Sequence, residues 1–294
     1  MPPRSAGVLV LNPRSGSLGE EERHELRERA DAAGLEVVEL GGDVDLAALV
    51  RSNLAKDRRL VVAAGGDGTI HHVIQHLVGT ESVLGVIPLG SFNHFARDAG
   101  LPADWREAFE LALHGRERQI DTGTVNGRHF INNLMLGVYP ALVRDRERLR
   151  GGAGKWKAYR RALGLALRRF PHVSLALETP HSLETVRTQL FAVSVNSYDL
   201  SKIGILAKKV TLDDGRLSVY WLPFQTRIQF TRTLLRYLRG QLEDVDGFRR
   251  LATTRLRVDA PHRRVSIAVD GELFEMERPL NISINPAALV VRGV

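Results

Sequence analysis

The chain has 294 residues, 44% of them hydrophobic and 26% charged, which allows two domains with full cores and shows no bias toward disorder or fibre. It contains no cysteine and no apolar run near 18 residues, so disulfides, zinc–thiolate sites, thiol nucleophiles and membrane-spanning helices are ruled out. A formal net charge of +7 and a pI near 10.0 favour a polyanionic partner: nucleic acid, an anionic membrane surface or a phosphorylated substrate.

Val8–Leu11 reads as a strand ended by Asn12-Pro13-Arg14-Ser15-Gly16. It is too brief for a signal-peptide core, so a cytoplasmic location is expected. Glu20–Ala33 is charged and helical, with Gly34 as its stop. Leu35–Leu40 is a second strand, and either Asp43 or Asp45 caps a helix running to about Lys56. Leu60–Ala64 is a third strand that stops at Gly65-Gly66-Asp67-Gly68-Thr69, and a helical pattern follows from Ile70 to Val78. Val83–Ile87 is a fourth, and Pro88-Leu89-Gly90-Ser91 breaks the chain before a helix near Asn93–Ala99. This alternation predicts a parallel sheet covered by helices, with ligands at the carboxyl ends of the strands. The polar loops 12–16, 65–69 and 88–93 all follow strands and are expected on that one edge.

A strand feeding a glycine-rich turn that opens a helix suits phosphate. Glycine lets the backbone approach the anion, and the helix start offers unpaired N–H groups and a favourable dipole. Asp67 within the turn would repel phosphate unless a cation such as Mg²⁺ lay between, which suggests a metal–nucleotide site. The alternative is a tight turn in which Asp67 only caps the helix.

From about Thr122 the pattern changes. Val125–Phe130 reads as a hairpin around Asn126-Gly127. Val173–Leu177, Thr185–Val195, Leu217–Leu222, Thr254–Val258 and Val265–Val269 read as strands of an antiparallel sandwich. Two helical segments interrupt them, Lys155–Phe170 and Arg227–Leu242. Ala288–Val291 is a last strand after Asn285-Pro286. The expected organisation is a three-layer α/β domain over 1–122, rejoined by a strand at about 284–294, and a β-sandwich with helical insertions over 123–283.

Lys155–Phe170 carries six basic residues and no acid, while Trp156, Tyr159, Leu163, Leu167 and Phe170 recur at helical spacing. Arg227, Arg232, Arg236 and Arg239 decorate the second helix. Such faces suit a helix resting on anionic lipid, the alternative being core stripes with solubilising arginines. A nucleic-acid partner is not expected, since no known module occurs and the aromatic spacing follows a packing stripe. His71, His72 and His76 lack the Glu of a zinc-protease helix and read as a helix face.

These residues resemble the diacylglycerol kinase catalytic-domain family, which includes bacterial lipid kinases and sphingosine kinases. The resemblance runs from Leu9 to Val291. It rests on Leu11-Asn12-Pro13-Arg14-Ser15-Gly16, Gly65-Gly66-Asp67-Gly68-Thr69 and Ile87-Pro88-Leu89-Gly90-Ser91-Phe92-Asn93-His94-Phe95-Ala96-Arg97. Ile120-Asp121-Thr122-Gly123, Asp213-Asp214-Gly215 and Val269-Asp270-Gly271-Glu272 extend it. The resemblance implies an ATP- and Mg²⁺-dependent lipid kinase that moves the γ-phosphoryl group to a lipid hydroxyl in a cleft between two domains. Asn12, Ser15, Gly16, Gly65, Gly66, Asp67, Gly68, Thr69, Gly90, Ser91 and Asn93 would contact ATP or its metal. Asp67 would serve catalysis too, Glu272 would take the hydroxyl proton, and Asp214 with Asp121 nearby would belong to a metal-linked network.

Three departures mark this chain. Ser91 stands where the family usually has Thr, and His94 where it usually has Asp. Lys208 and Lys209 precede Asp213-Asp214-Gly215, where relatives often carry Pro and an acidic residue. Two other functions stay open: NAD kinase-like phosphorylation of a soluble acceptor, and a catalytically inactive regulator that binds nucleotide or membrane. The expected partners are a lipid substrate and an anionic membrane, with peripheral attachment at the inner face; a homodimer stays open.

Overall fold

The computed structural model describes residues 7–15, 18–41, 44–149, 172–199, 208–222, 226, 228–229, 232–233, 236 and 248–293, the side chains of 145–149 excepted. The first elements are β1 (Gly7–Leu11), α1 (Glu20–Ala32), β2 (Leu35–Glu39), α2 (Leu46–Leu54), β3 (Leu60–Gly65), α3 (Asp67–Leu77), β4 (Val83–Pro88), α4 (His94–Asp98) and α5 (Trp105–His114). Then come β5 (Arg116–Val125), β6 (Arg128–Phe130), β7 (Asn133–Gly137), α6 (Val138–Leu149), β8 (Val173–Glu178), β9 (Leu183–Thr188) and β10 (Leu190–Val195). The chain ends with β11 (Leu217–Leu222), β12 (Arg249–Thr253), β13 (Arg255–Asp259), β14 (Arg264–Val269), β15 (Glu272–Glu277) and β16 (Leu280–Gly293). Met1–Thr122 with Pro286–Val294 makes one unit, and Gly123–Asn285 the other.

In the first unit β2, β1, β3 and β4 pair in that order, all parallel, and the end of β16 joins beside β4 through Val290↔Val83 and Val291↔Leu84. Leu9, Leu11, Val62, Ala64 and Ile87 pack on one face against Leu26 and Ala30 of α1 and Phe109 and Ala112 of α5. The alternate residues Val8, Val10, Val61, Ala63, Leu84 and Val86 are equally buried on the opposite face, which α3 covers with Ile70, Ile74 and Leu77. Burial on both faces is why these strands read as unbroken apolar runs. Of the two cap candidates, Asp45 is the one used: its carboxylate accepts the Ala48 N–H at 2.9 Å, while Asp43 lies outside the described residues. α5 was not anticipated although its signal is open in the sequence, with Trp105, Ala108, Phe109 and Ala112 at helical spacing, and Asp104 caps it by accepting the N–H groups of Arg106 and Glu107.

The second unit is a β-sandwich. One sheet runs β12-β11-β10-β7-β14-β15, and β16, β13, β8 and β9 form the other. Leu134, Phe191, Val193, Val219 and Ile267 of the first sheet share a core with Leu175, Leu177, Leu256, Val258 and Ile282 of the second. The expected single strand Thr185–Val195 is two, because the chain leaves one sheet for the other at Gln189. Thr188 makes that corner: its hydroxyl accepts the Leu190 N–H at 3.2 Å and donates to the Leu222 carbonyl at 2.7 Å. Thr253 does the same between β12 and β13, accepting from Arg255 N–H and donating to the Arg255 carbonyl. The hairpin at Asn126-Gly127 forms as expected, both residues having positive φ, but its first strand starts back at Arg116. Like α5, the elements β7, α6, β12 and β15 were not anticipated.

His129 on β6 is half-buried, and burial lowers its pKa below the ordinary histidine value. The unfolded chain therefore takes its proton first as the pH falls through about 6.5, and stability declines from there down to the folded pKa. Thermal melts between pH 7.5 and 5.5 are expected to fall less steeply for His129→Gln than for the wild type; parallel curves would remove His129 as the cause.

The segment Lys155–Phe170 lies outside the described residues. Of Arg227–Leu242, residues 228, 229, 232, 233 and 236 are described as helical. Among the described residues no helix is long and apolar enough to cross a membrane.

Candidate active site

β1 sits between β2 and β3, so the chain leaves it first to one side and later to the other. The loops after β1 and β3 therefore part at a switch point, where open parallel sheets hold their ligands. In the first loop, Asn12 donates its N–H to the Ala64 carbonyl at 3.0 Å and its side-chain amide to the Thr69 hydroxyl at 2.9 Å. Its side-chain oxygen accepts the Arg14 N–H at 3.0 Å, which closes the turn. Ser15 is half-buried, and Arg23 of α1 donates to its carbonyl at 3.3 Å. Gly16 lies outside the described residues.

The second loop needs its glycines. A side chain at Gly65 would collide with the side chain of Thr69, and the Gly65 carbonyl accepts the Leu89 N–H of the third loop at 2.8 Å. Gly66 is the N-cap of α3, and its carbonyl accepts the N–H groups of Thr69 and Ile70. Having no side chain, it leaves the helix start uncapped, whereas Asp45 and Asp104 cap α2 and α5. Helix geometry offers no acceptor to the N–H groups of Asp67 and Gly68, so this start suits an anion. Asp67 does not cap its own helix. Its Oδ1 accepts the Phe95 N–H at 3.2 Å, in the first turn of α4, and so caps that helix from another loop.

The third loop is folded by Asn93, whose φ is 48°. Its side-chain oxygen accepts the Gly90 N–H at 2.9 Å, and its amide donates to the Gly90 carbonyl at 3.0 Å. Asn93 thus shapes the loop with both ends of its side chain. Ser91 is exposed, and Phe92 beside it is 51% exposed and stacks on His94 with ring centroids 5.7 Å apart. The Arg97 guanidinium donates to His94 Nδ1 at 3.0 Å, so the imidazole in the usual place of an Asp is tied to a neighbouring cation.

The first unit thus brings Asn12, Gly65, Gly66, Asp67, Thr69, Gly90 and Asn93 together through hydrogen bonds and close contacts. Asp121 is 3% exposed and accepts the Ala287 N–H at 2.9 Å. In the second unit, Asp214 accepts from the Asn196 side-chain amide at 2.6 Å and from the Arg216 N–H at 2.9 Å. Among the described residues no group of three or more histidine or acidic side chains forms a metal-ligand set. A Mg²⁺ ion held by one carboxylate and by phosphate oxygens fits the donors at Asp67, since only one of its two oxygens is needed to accept the Phe95 N–H.

Glu272 is exposed at the start of β15, after the turn Asp270-Gly271, where both residues have positive φ. Asp270 was not singled out in the sequence, yet it anchors that turn. Its carboxylate accepts the N–H groups of Ile131 at 3.0 Å, Asn132 at 2.8 Å and Asn133 at 3.1 Å, and its own N–H donates to the Asn133 carbonyl at 2.9 Å. An Asp-Gly pair reads as a turn, and no linear spacing points from it to residues 131–133.

The model of the diacylglycerol kinase catalytic domain matches residues 6–125. A diacylglycerol kinase from Bacillus subtilis (strain 168) is 28% identical over 273 residues, covering 90% of this chain and 88% of its own. A diacylglycerol kinase from Mycobacterium tuberculosis (strain ATCC 25618 / H37Rv) is 28% identical over 293 residues, 97% of this chain and 94% of its own. A Pseudomonas aeruginosa (strain UCBPP-PA14) protein named "Probable lipid kinase YegS-like" is 32% identical over 258 residues, 85% of this chain and 81% of its own. A solved structure of a diacylglycerol kinase from Bacillus anthracis str. Sterne superposes with a TM-score of 0.72, over 99% of this chain and 97% of that one at 16% identity, which shows a shared fold.

Proposed function

As the chain belongs to the diacylglycerol kinase catalytic-domain family, we propose that it is a lipid kinase that uses ATP and Mg²⁺ to phosphorylate a lipid hydroxyl at the cytoplasmic face of an anionic membrane. The observation that carries this is the gathering of three strand-end loops around the uncapped start of α3. Asn12 bonds Thr69, Gly65 bonds Leu89, and Asp67 bonds Phe95.

Phosphate oxygens accept from the N–H groups of Asp67 and Gly68, and the α3 dipole favours their charge. Asp67 would hold Mg²⁺, which when bound would offset the repulsion between this carboxylate and the triphosphate. Phosphoryl transfer depends on positioning and charge neutralisation more than on covalent chemistry, and rigid loops supply the positioning. The lipid oxygen bonds to the γ-phosphorus, the bond from that phosphorus to the β–γ bridging oxygen breaks, and ADP leaves. Glu272 takes the hydroxyl proton. The net charge of +7 suits attachment to anionic lipid.

The test is labelled ATP with Mg²⁺, offered diacylglycerol, phosphatidylglycerol and sphingoid bases in anionic vesicles, with NAD alongside. Label is expected in a lipid product, and Asp67→Asn is expected to lower its formation about 100-fold. Label in NAD alone would replace the lipid acceptor by a soluble one. Vesicle binding without transfer to any acceptor would make the protein a regulator.

A further inference from the structure

We infer that Lys209 is a positioning residue for Glu272, acting as a fixed internal cation on the backbone segment that anchors the Asp270-Gly271 turn. The inference rests on the reading of Glu272 as the base.

Lysine is among the residues least often buried, because removing its ammonium from water is costly. Lys209 is nevertheless only 9% exposed, between an exposed Lys208 and a Val210 that is 69% exposed. The backbone dictates this alternation. Asp199 donates its N–H to the Lys208 carbonyl at 2.9 Å, Val210 donates to the Ser197 carbonyl at 2.8 Å, and Lys209 forms an antiparallel bridge with Tyr198. The side chain at 209 therefore points inward while its neighbours point out. Its Nζ donates to the carbonyl of Ile131.

The N–H of that same Ile131 donates to Asp270. A buried cation and a buried anion thus hold the two polar groups of one residue, and the following two N–H groups also bind Asp270. Charge-assisted hydrogen bonds of this kind are stronger than those between neutral groups. The Asn132 carbonyl accepts the N–H of Val195 at 3.1 Å and the hydroxyl of Ser194 at 3.3 Å, which fixes the segment from β10 as well. Two residues after Asp270 comes Glu272, paired across the turn with Val269. A shift of residues 131–133 therefore moves the turn and the carboxylate beyond it. All of these groups lie in the second unit.

The experiment measures kcat and the KM for ATP in Lys209→Met, Lys209→Arg and Lys209→Gln, each in wild-type and Glu272→Gln backgrounds. Lys209→Met keeps the apolar stem without the charge. It is expected to lower kcat about tenfold with the KM for ATP within about twofold of wild type. Lys209→Arg should recover part of the loss. In the Glu272→Gln background, Lys209→Met should change kcat less than about twofold, because its effect runs through Glu272. If Lys209→Met does not fold, Lys209→Gln, which keeps a donor without the charge, carries the same comparison. Wild-type kcat in these variants, an equal loss in the Glu272→Gln background, or a raised KM with kcat retained would each overturn the inference. Normal turnover by Glu272→Gln alone would overturn the base reading instead, so the two failures are told apart.

Discussion

Glu272→Gln lowers the rate of phosphate transfer by about 100- to 10,000-fold and leaves ATP affinity unchanged; this is the result expected of a general base removed from a folded enzyme. The substitution keeps the size of the side chain and takes away only its capacity to accept a proton. Two structural facts make the effect chemical rather than conformational. Glu272 is exposed, so its side chain supports no core packing. The turn before it is anchored by the three N–H bonds to Asp270, which the substitution does not touch. Turnover at saturating lipid, with ATP affinity from calorimetry, checks both halves. A rate within about threefold of wild type would take Glu272 out of the mechanism.

Gly90→Ala is expected to weaken ATP binding by about tenfold or more, through a collision that no side chain can relieve. A β-carbon at Gly90 would lie 2.6 Å from the Cα of Gly66 and 2.7 Å from the side-chain oxygen of Asn93. The first obstacle is backbone at the N-cap of α3, and the second is the group that folds the third loop. One of the two loops must shift, at about 1–3 kcal/mol. Gly66→Ala is the built-in comparison. Its β-carbon would sit 3.2 Å from the Gly90 Cα, tight but open to a small adjustment, so its loss should be smaller. Calorimetry with an ATP analogue that does not turn over, alongside melting temperatures, separates lost affinity from lost fold. Equal affinities for wild type and Gly90→Ala would mean that this contact does not shape the nucleotide site.

The parallel half of the fold was legible because local signals agreed with one another. Each apolar run ended at a polar turn, and burial on both faces removed the need for alternation. The sandwich was legible in class but not in detail. Thr188 and Thr253 lie inside strand-like sequence, and only a partner in the other sheet reveals the corners they make. The fourteen-residue span of β16 was hidden by Asn285-Pro286, which reads as a turn yet sits inside the strand, with Ala287 at a φ of 51° absorbing the irregularity. For the candidate site, the glycine loops announced themselves by composition. The contributions of Asn93, Asp270 and Lys209 did not, since each depends on which backbone group its side chain reaches. Asn93 illustrates the limit: the family resemblance implied contact with nucleotide, while the folded loop takes up both ends of its amide.

The pairing of β16 with β4 also bears on biogenesis. Val83 and Leu84 find their partners in Val290 and Val291, and Gly79 donates to the Ala288 carbonyl at 2.9 Å. A nascent chain emerging from the ribosome therefore carries β4 as a bare, greasy border until Val290 and Val291 are translated, and such borders invite pairing with other chains. The half that is made first must be the last to finish, and shelter for that border during synthesis becomes a demand on the cell rather than on the fold.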